Sequence, residues 1–187
     1  MANPRIISGK AKGLRLFPVP GDSTRPITDR VKENLFNIIG PDIIDVDFLD
    51  VFGGTGSVGL EAISRGASFC RFIEKNSNAH AALKRNIEHT KLGKQTQLLH
   101  KDAFQHLRQP ADRKFDIIYV APPQYKSMWI DTLKTLDKNP TWFKPFTWVI
   151  VQIHPVEFKE LPSFEHFTEF ERRTYGSTML IFYETNE

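Results

Sequence analysis

The sequence predicts an α/β fold in which a mainly parallel sheet is flanked by helices. Two observations carry that prediction. From residue 46 onward, short apolar runs alternate with stretches of helical periodicity, the pattern of strands joined by right-handed crossovers. Residues 48–74, FLDVFGGTGSVGLEAISRGASFCRFIE, also read as one strand–loop–helix–strand unit. An apolar run ends in Asp50, a glycine loop and a helix follow, and a second apolar run ends in Glu74.

Residues 5–20, RIISGKAKGLRLFPVP, read as two short strands around a basic turn bracketed by Gly9 and Gly13. This is a hairpin-like arm rather than a core unit. Residues 21–27 form a loop. Thr28 or Asp29 caps a helix running to about Ile39, with Val31, Leu35, Ile38 and Ile39 on one face, and Gly40-Pro41 stops it. Strands are expected at 46–51, 69–74, 96–100, 115–120 and 147–153, and helices at 57–65, 77–92, 103–108 and 126–138. In the last helix Trp129, Leu133 and Leu136 recur at helical spacing and read as core. Residues 164–185 offer two strands joined around Tyr175-Gly176, a hairpin closing the sheet edge. Ligands of such sheets bind at the carboxyl ends of the strands. Asp50, Glu74, Asp102 and Ala121-Pro122 all fall at or just after such ends.

A chain of 187 residues suggests one domain, with 1–22 as a basic extension within it. No apolar run approaches a membrane span, and MANPRIISGKAKG lacks the apolar stretch of a secretory signal. Cys70 is the only cysteine and lies in an apolar strand, where it reads as an inert core residue. A cytoplasmic setting is expected. Residues 1–40 carry seven Lys/Arg against three Asp/Glu, which leaves 18 against 19 for the other 147 residues. The positive excess therefore sits at the N-terminus, as in an arm that faces a polyanion. A solvated basic surface gives the same count.

Gly54, Gly56 and Gly59 fit G-x-G-x-x-G, and Glu74 lies 20 residues after Gly54. Glycines let a backbone approach a ligand, the following helix start presents free N–H groups, and the acid accepts from ribose hydroxyls. The pattern suits an adenosine-bearing cofactor. Asp50 discriminates among these. Its carboxylate would repel the pyrophosphate of NAD or FAD and attract the ammonium of S-adenosylmethionine, which has no phosphate. Capping of the glycine loop is a second role for Asp50, compatible with the first. Asp102 has two readings: an acceptor for the adenine amine, or the N-cap of the helix starting at Ala103. Residues 121–125, Ala-Pro-Pro-Gln-Tyr, follow the strand FDIIYV. Two prolines cannot extend a strand, and they leave carbonyls without N–H groups. Such a turn aims a carbonyl at an exocyclic amine, and Tyr125 offers a stacking surface for an extruded base. An ordinary strand-ending loop is the alternative.

The segments RIISGKAKGLRL, TRPITDRVKENLFNII, FLDVFGGTGSVGLEAISRGA, FIEKN and DIIYVAPPQY together resemble the RsmD family of bacterial enzymes, which methylate guanine N2 in small-subunit ribosomal RNA. The resemblance runs from Arg5 to about Tyr125. It implies a class I S-adenosylmethionine-dependent methyltransferase (Rossmann-like) fold: a seven-stranded, mostly parallel sheet with an N-terminal β-hairpin arm. It implies Asp50 and the loop Gly53, Gly54, Thr55 and Gly56 at the methionine part of the cofactor. Glu74 with Lys75 then lies at the ribose, and Asp102 with Ala103 near the adenine. Pro122, Pro123, Gln124 and Tyr125 are the expected catalytic segment, and Arg5, Lys10, Lys12, Arg15 and Arg25 the expected RNA contacts. The expected partner is small-subunit ribosomal RNA, free or within an assembled subunit, met by a monomer without metal or membrane. One departure stands out. The family signature is Asp- or Asn-Pro-Pro-Tyr, whereas here the first position is Ala121 and Gln124 is inserted before Tyr125. The side-chain acceptor for the guanine amine is missing, and the Pro122 carbonyl with Gln124 is its expected substitute.

Two other readings compete. Ala121 favours a noncatalytic RNA-binding or ribosome-assembly module that keeps a cofactor pocket. The glycine-plus-acid spacing alone favours an NAD-dependent oxidoreductase. The six histidines show no metal-ligand spacing, and no nucleophile-elbow or phosphate-loop pattern is present.

Overall fold

A computed structural model describes residues 3–21 and 26–186. Its sheet has seven strands: β1 Asp47–Asp50, β2 Phe69–Ile73, β3 Thr96–Leu99, β4 Phe115–Val120, β5 Phe143–Ile153, β6 Phe167–Tyr175 and β7 Thr178–Thr185. Their order is β3-β2-β1-β4-β5-β7-β6. The first five pair in parallel, and β7 runs antiparallel between β5 and β6. The order reverses between β1 and β4, so the strand ends open a crevice there.

Five helices cover the sheet: α1 Asp29–Ile39, α2 Ser57–Arg65, α3 Ser77–Thr90, α4 Ala103–Leu107 and α5 Met128–Asp137. Period-two alternation along the strands sends Phe48, Phe72, Tyr119, Ile150 and Phe182 to one face, packed with α1, α2 and α3. Leu49, Ile118, Val149 and Ile181 go to the other, packed with α4 and α5. Trp129, Leu133 and Leu136 are fully buried there, as their spacing predicts. Thr28 is the N-cap of α1, its hydroxyl accepting from the Val31 N–H, and Gly40 ends the helix at φ +60. Gly59 is required on α2 because a Cβ there would lie 2.4 Å from Phe72 and 2.6 Å from the Cys70 sulfur. The helix rests directly on β2.

Several boundaries differ from the sequence reading, most by one or two residues, and three differences have a local cause. β5 starts at Phe143 rather than 147, because Phe146 takes φ +60 and the β4–β5 register shifts between Phe115 and Ile117. A propensity reading breaks a strand at such an irregularity. α5 starts at Met128 because Ser127 is left-handed at φ +52. The third concerns the N-terminal hairpin. Its two expected strands reduce to one antiparallel bridge between Arg5 and Arg15, extended by Ile6 N–H to the Leu14 carbonyl (2.9 Å) and Leu16 N–H to the Pro4 carbonyl (2.7 Å).

That segment is also no free arm. Ile6 and Leu16 are buried in the core beside α1 and α2. The basic turn closes on Ser64, whose hydroxyl donates to the Ser8 carbonyl (2.6 Å) and accepts from the Ala11 N–H (2.9 Å). Gly9 is needed at this contact: its φ is +85, and a Cβ would meet the Ser64 carbonyl at 1.8 Å.

Candidate active site

The crevice at the β1/β4 reversal holds a cleft of about 540 Å³. Asp50, Phe52, Gly53, Gly54, Thr55 and Glu74 form one wall, and Tyr119, Ala121, Pro122, Pro123, Gln124 and Gln152 form another. Pro4, Pro18 to Gly21, Pro26 and Ile27 close it from the N-terminal segment. Of the four strand ends read from the sequence, those at Asp50, Glu74 and Ala121-Pro122 meet at one rim, and Asp102 does not line it.

Asp50 ends β1 and is 2% exposed. Its Oδ1 has no hydrogen-bond partner. Burial pushes its carboxyl well above the usual carboxylate range. The Gly59 and Phe52 N–H groups oppose that shift, and the Glu74 charge adds to it. A buried carboxylate oxygen without a donor is costly, and a cationic donor entering the cleft would relieve it. The residues therefore fit an ammonium-bearing cofactor.

Glu74 follows β2 and spans the loop. One oxygen accepts from the Gly54 N–H (2.9 Å) and the other from the Asn76 N–H (2.7 Å). Behind the loop lie two buried polar side chains that the sequence reading missed. Asn86 of α3 donates to the Thr55 carbonyl (2.8 Å) and clasps Phe17, accepting from its N–H (2.7 Å) and donating to its carbonyl (3.0 Å). Lys32 of α1 donates to the Ser57 hydroxyl (2.9 Å) and the Arg5 carbonyl (2.5 Å). It lies 3.3 Å from Glu61, both side chains being fully buried. Burial pushes the Lys32 ammonium below its ordinary range, and the Glu61 charge counters this. Glu61 also accepts from the Ile7 N–H (2.8 Å), the Ser8 N–H (3.0 Å) and Arg65 (2.8 Å). Lys32 falls at helical spacing with Leu35, Phe36 and Ile39, all buried on α1. That placement on an apolar face was the available signal.

Asp102 is the N-cap of α4: its Oδ1 accepts from the Gln105 N–H at 3.0 Å. Its Oδ2 meets Lys75 Nζ at 3.0 Å. These bonds hold its carboxyl below the usual range, the Gln105 contact first. Asp102, Lys75, Ala103 and Gly56 stand outside the lining of the cleft. Tyr125 is 67% exposed at φ +63, its N–H donating to Glu157 (2.7 Å) and its ring 5.9 Å from that of His154. Among the basic residues, Arg5 pairs with Asp29 (2.6 Å) and Lys10 bonds Gln95 (2.5 Å). Lys12 and Arg15 make no ion pair among the described residues. Arg25 lies outside the described residues. No group of three or more His, Cys, Asp or Glu able to hold a metal occurs among the described residues.

The family model described as "Conserved hypothetical protein 95" matches residues 4–184. The chain is 35% identical over 182 residues to a Bacillus subtilis protein described as "Putative rRNA methyltransferase YlbH", covering 96% of this chain and 98% of the other. It is 32% identical to the "Ribosomal RNA small subunit methyltransferase D" of Haemophilus influenzae, covering 92% and 89%. A solved structure described as "Putative methyltransferase yhhF from Escherichia coli" superposes with a TM-score of 0.86 at 30% identity, over 99% of both chains.

Proposed function

The chain belongs to the family described as Conserved hypothetical protein 95, the RsmD family, and from that premise we propose that it methylates the exocyclic N2 of a guanine in small-subunit ribosomal RNA. It is an S-adenosylmethionine-dependent ribosomal RNA methyltransferase. The observation that carries the reading is Asp50: a buried carboxylate with one unpaired oxygen, at the end of β1, facing the Ala-Pro-Pro wall across the cleft.

When bound, S-adenosylmethionine supplies an electrophilic methyl group on a sulfonium. Asp50 would accept from the α-ammonium, with the loop Gly53, Gly54, Thr55 and Gly56 beside it. Glu74 would accept from the ribose hydroxyls, and its bonds to the Gly54 and Asn76 N–H groups hold it in place. Lys75, Asp102 and Ala103, just beyond the cleft lining, would mark the adenine end. On the other wall, the Pro122 carbonyl would accept a hydrogen bond from the guanine amine. That would keep lone-pair density on N2, and the proton N2 sheds on methylation would leave to solvent. Pro123 stiffens the turn, Gln124 supplies a second acceptor, and Tyr125 stacks on the flipped base. The protein's main contribution is alignment. Arg5, Lys10, Lys12, Arg15 and Arg25 would contact phosphates; Lys10, Lys12 and Arg15 make no ion pair among the described residues.

The test is methyl transfer from labelled cofactor to unmethylated small subunits and to their naked RNA, with mapping of the modified base. Transfer to guanine N2 is expected. Cofactor binding without any transfer would instead support the noncatalytic module that Ala121 favours. Transfer to adenine or cytosine would keep the enzyme class and refute the guanine assignment.

A further inference from the structure

One polar side chain of the cleft has no part in that scheme. Gln152 lies next to the end of β5 and lines the same wall as Ala121 and Pro122. Val120 pairs with Val151 across β4 and β5, so the register continues with Ala121 beside Gln152. Asp50 pairs with Tyr119 across β1 and β4. Strand alternation then puts Asp50, Tyr119, Ala121 and Gln152 on one face of the sheet. Asp50 is level with Tyr119 and Ile150, so Gln152 stands two strand spacings away, about 10 Å sideways, and two residues further along, on the β5 side of the reversal.

Tyr119 fixes its direction. This buried phenol donates its proton to Gln152 Oε1. The amide oxygen is thereby engaged, and Nε2 donates to nothing among the described residues. The same wall thus carries Pro122, which has a carbonyl acceptor and no N–H, and a pair of unused amide donors at Gln152.

We propose that Gln152 is a specificity-determining residue that donates from Nε2 to the O6 of the target guanine while the Pro122 carbonyl receives its N2 amine. The inference rests on the guanine reading above and deepens it. Guanine presents O6 as an acceptor and N2 as a donor on one edge. Both atoms sit on the same edge, so an acceptor from the turn after β4 and a donor from β5 on one wall can engage them together. Adenine and cytosine carry an amine where guanine carries O6, so they would face Nε2 donor against donor. Uracil offers an acceptor but no amine for Pro122. A site whose polar groups are left unpaired by the wrong base discriminates strongly. The short Ala121 side chain separates the amide from the turn without competing for the base.

The variants are Gln152→Ala, Gln152→Glu and Tyr119→Phe. They are compared by calorimetry with S-adenosylhomocysteine and by kcat/KM on unmethylated small subunits. Homocysteine-cofactor affinity is expected to stay within twofold of wild type in all three. Transfer to guanine should fall at least tenfold in Gln152→Ala and further in Gln152→Glu, which sets an acceptor against O6. Tyr119→Phe should fall less, with the loss mainly in KM, because the amide is still present but free to turn. Wild-type transfer by Gln152→Glu would overturn the proposal. So would a loss of cofactor affinity equal to the loss of rate, which would make Gln152 part of the cofactor site. Wild-type protein that methylates another base, or none, would overturn the guanine reading itself, and this inference with it.

Discussion

The two walls of the cleft are built differently. The β1–α2 wall is held from behind. Glu74 bonds the Gly54 N–H, Asn86 bonds the Thr55 carbonyl and Lys32 bonds the Ser57 hydroxyl. Each of the last two also reaches the N-terminal segment, at Phe17 and Arg5. The β4–α5 wall has little of this. Tyr125 and Ser127 sit at positive φ, Tyr125 is exposed, and its N–H bond to Glu157 ties the turn down. A small cofactor makes few contacts and needs its donors and acceptors fixed beforehand. A large RNA brings enough surface to order a loop as it binds. The contrast teaches that pre-organisation is concentrated where the ligand is smallest.

The sharpest way to break this contrast is Glu61→Ala. It leaves Lys32 buried without its counter-charge and the Ile7 and Ser8 N–H groups unpaired. A loss of about 3–5 kcal/mol is expected, read as a lower urea midpoint, together with faster proteolysis of residues 5–17. A midpoint within error of wild type would mean the buried network carries no stability.

Glu74→Ala attacks the cofactor wall from the front. Each charge-assisted bond lost to the ribose is worth ~1.5–3 kcal/mol, so calorimetry with S-adenosylhomocysteine should show an affinity loss of at least tenfold in a folded protein. Unchanged affinity would remove Glu74 from the ribose.

On the other wall, Tyr125→Ala should leave stability and cofactor affinity alone. It should weaken productive RNA engagement by ~1–3 kcal/mol, the worth of a base stack, and cost more than Gln124→Ala. Equal losses from the two variants would argue against stacking.

Asp50 gives a smaller effect of opposite sign. Burial raises its folded pKa above the unfolded value, so the folded state keeps the proton where the unfolded chain has lost it. That contribution to stability is present at low pH and is lost as pH climbs through the folded pKa. Asp50→Asn should therefore be more stable than wild type without cofactor once pH exceeds the raised folded pKa, while binding S-adenosylhomocysteine worse. Wild-type affinity should rise with pH over the same range as the carboxyl ionises. A pH-independent affinity would sink this account. The smallest change is expected from Lys12→Ala with Arg15→Ala, which should flatten the salt dependence of RNA binding by about one unit of slope each and leave the cofactor site untouched.

Most of this fold was legible because its signals are local. The apolar runs at 69–74, 96–100 and 115–120, the glycine loop and the helical spacing of Trp129, Leu133 and Leu136 each need only a short window. The N-terminal segment was misread for the converse reason. Its strand-like pattern and lysines resemble an exposed hairpin, and nothing nearby reveals that Glu61, Ser64 and Asn86 complete it. Asp50 and Glu74 were readable from position at strand ends. Gln152 was not, because a glutamine in a β-strand has no meaning until the register sets it beside Ala121 and under Tyr119.

The dependence of the first residues on later ones has a consequence for synthesis. The acceptor for the Ile7 N–H lies 54 residues downstream, and that for the Phe17 N–H lies 69. At translation rates of ~5–20 residues per second, Ile7 and Phe17 wait several seconds before either partner has been made. Ile6 and Leu16 cannot reach their places in the core beside α2 during that interval. This segment is thus among the last parts of the fold to be finished.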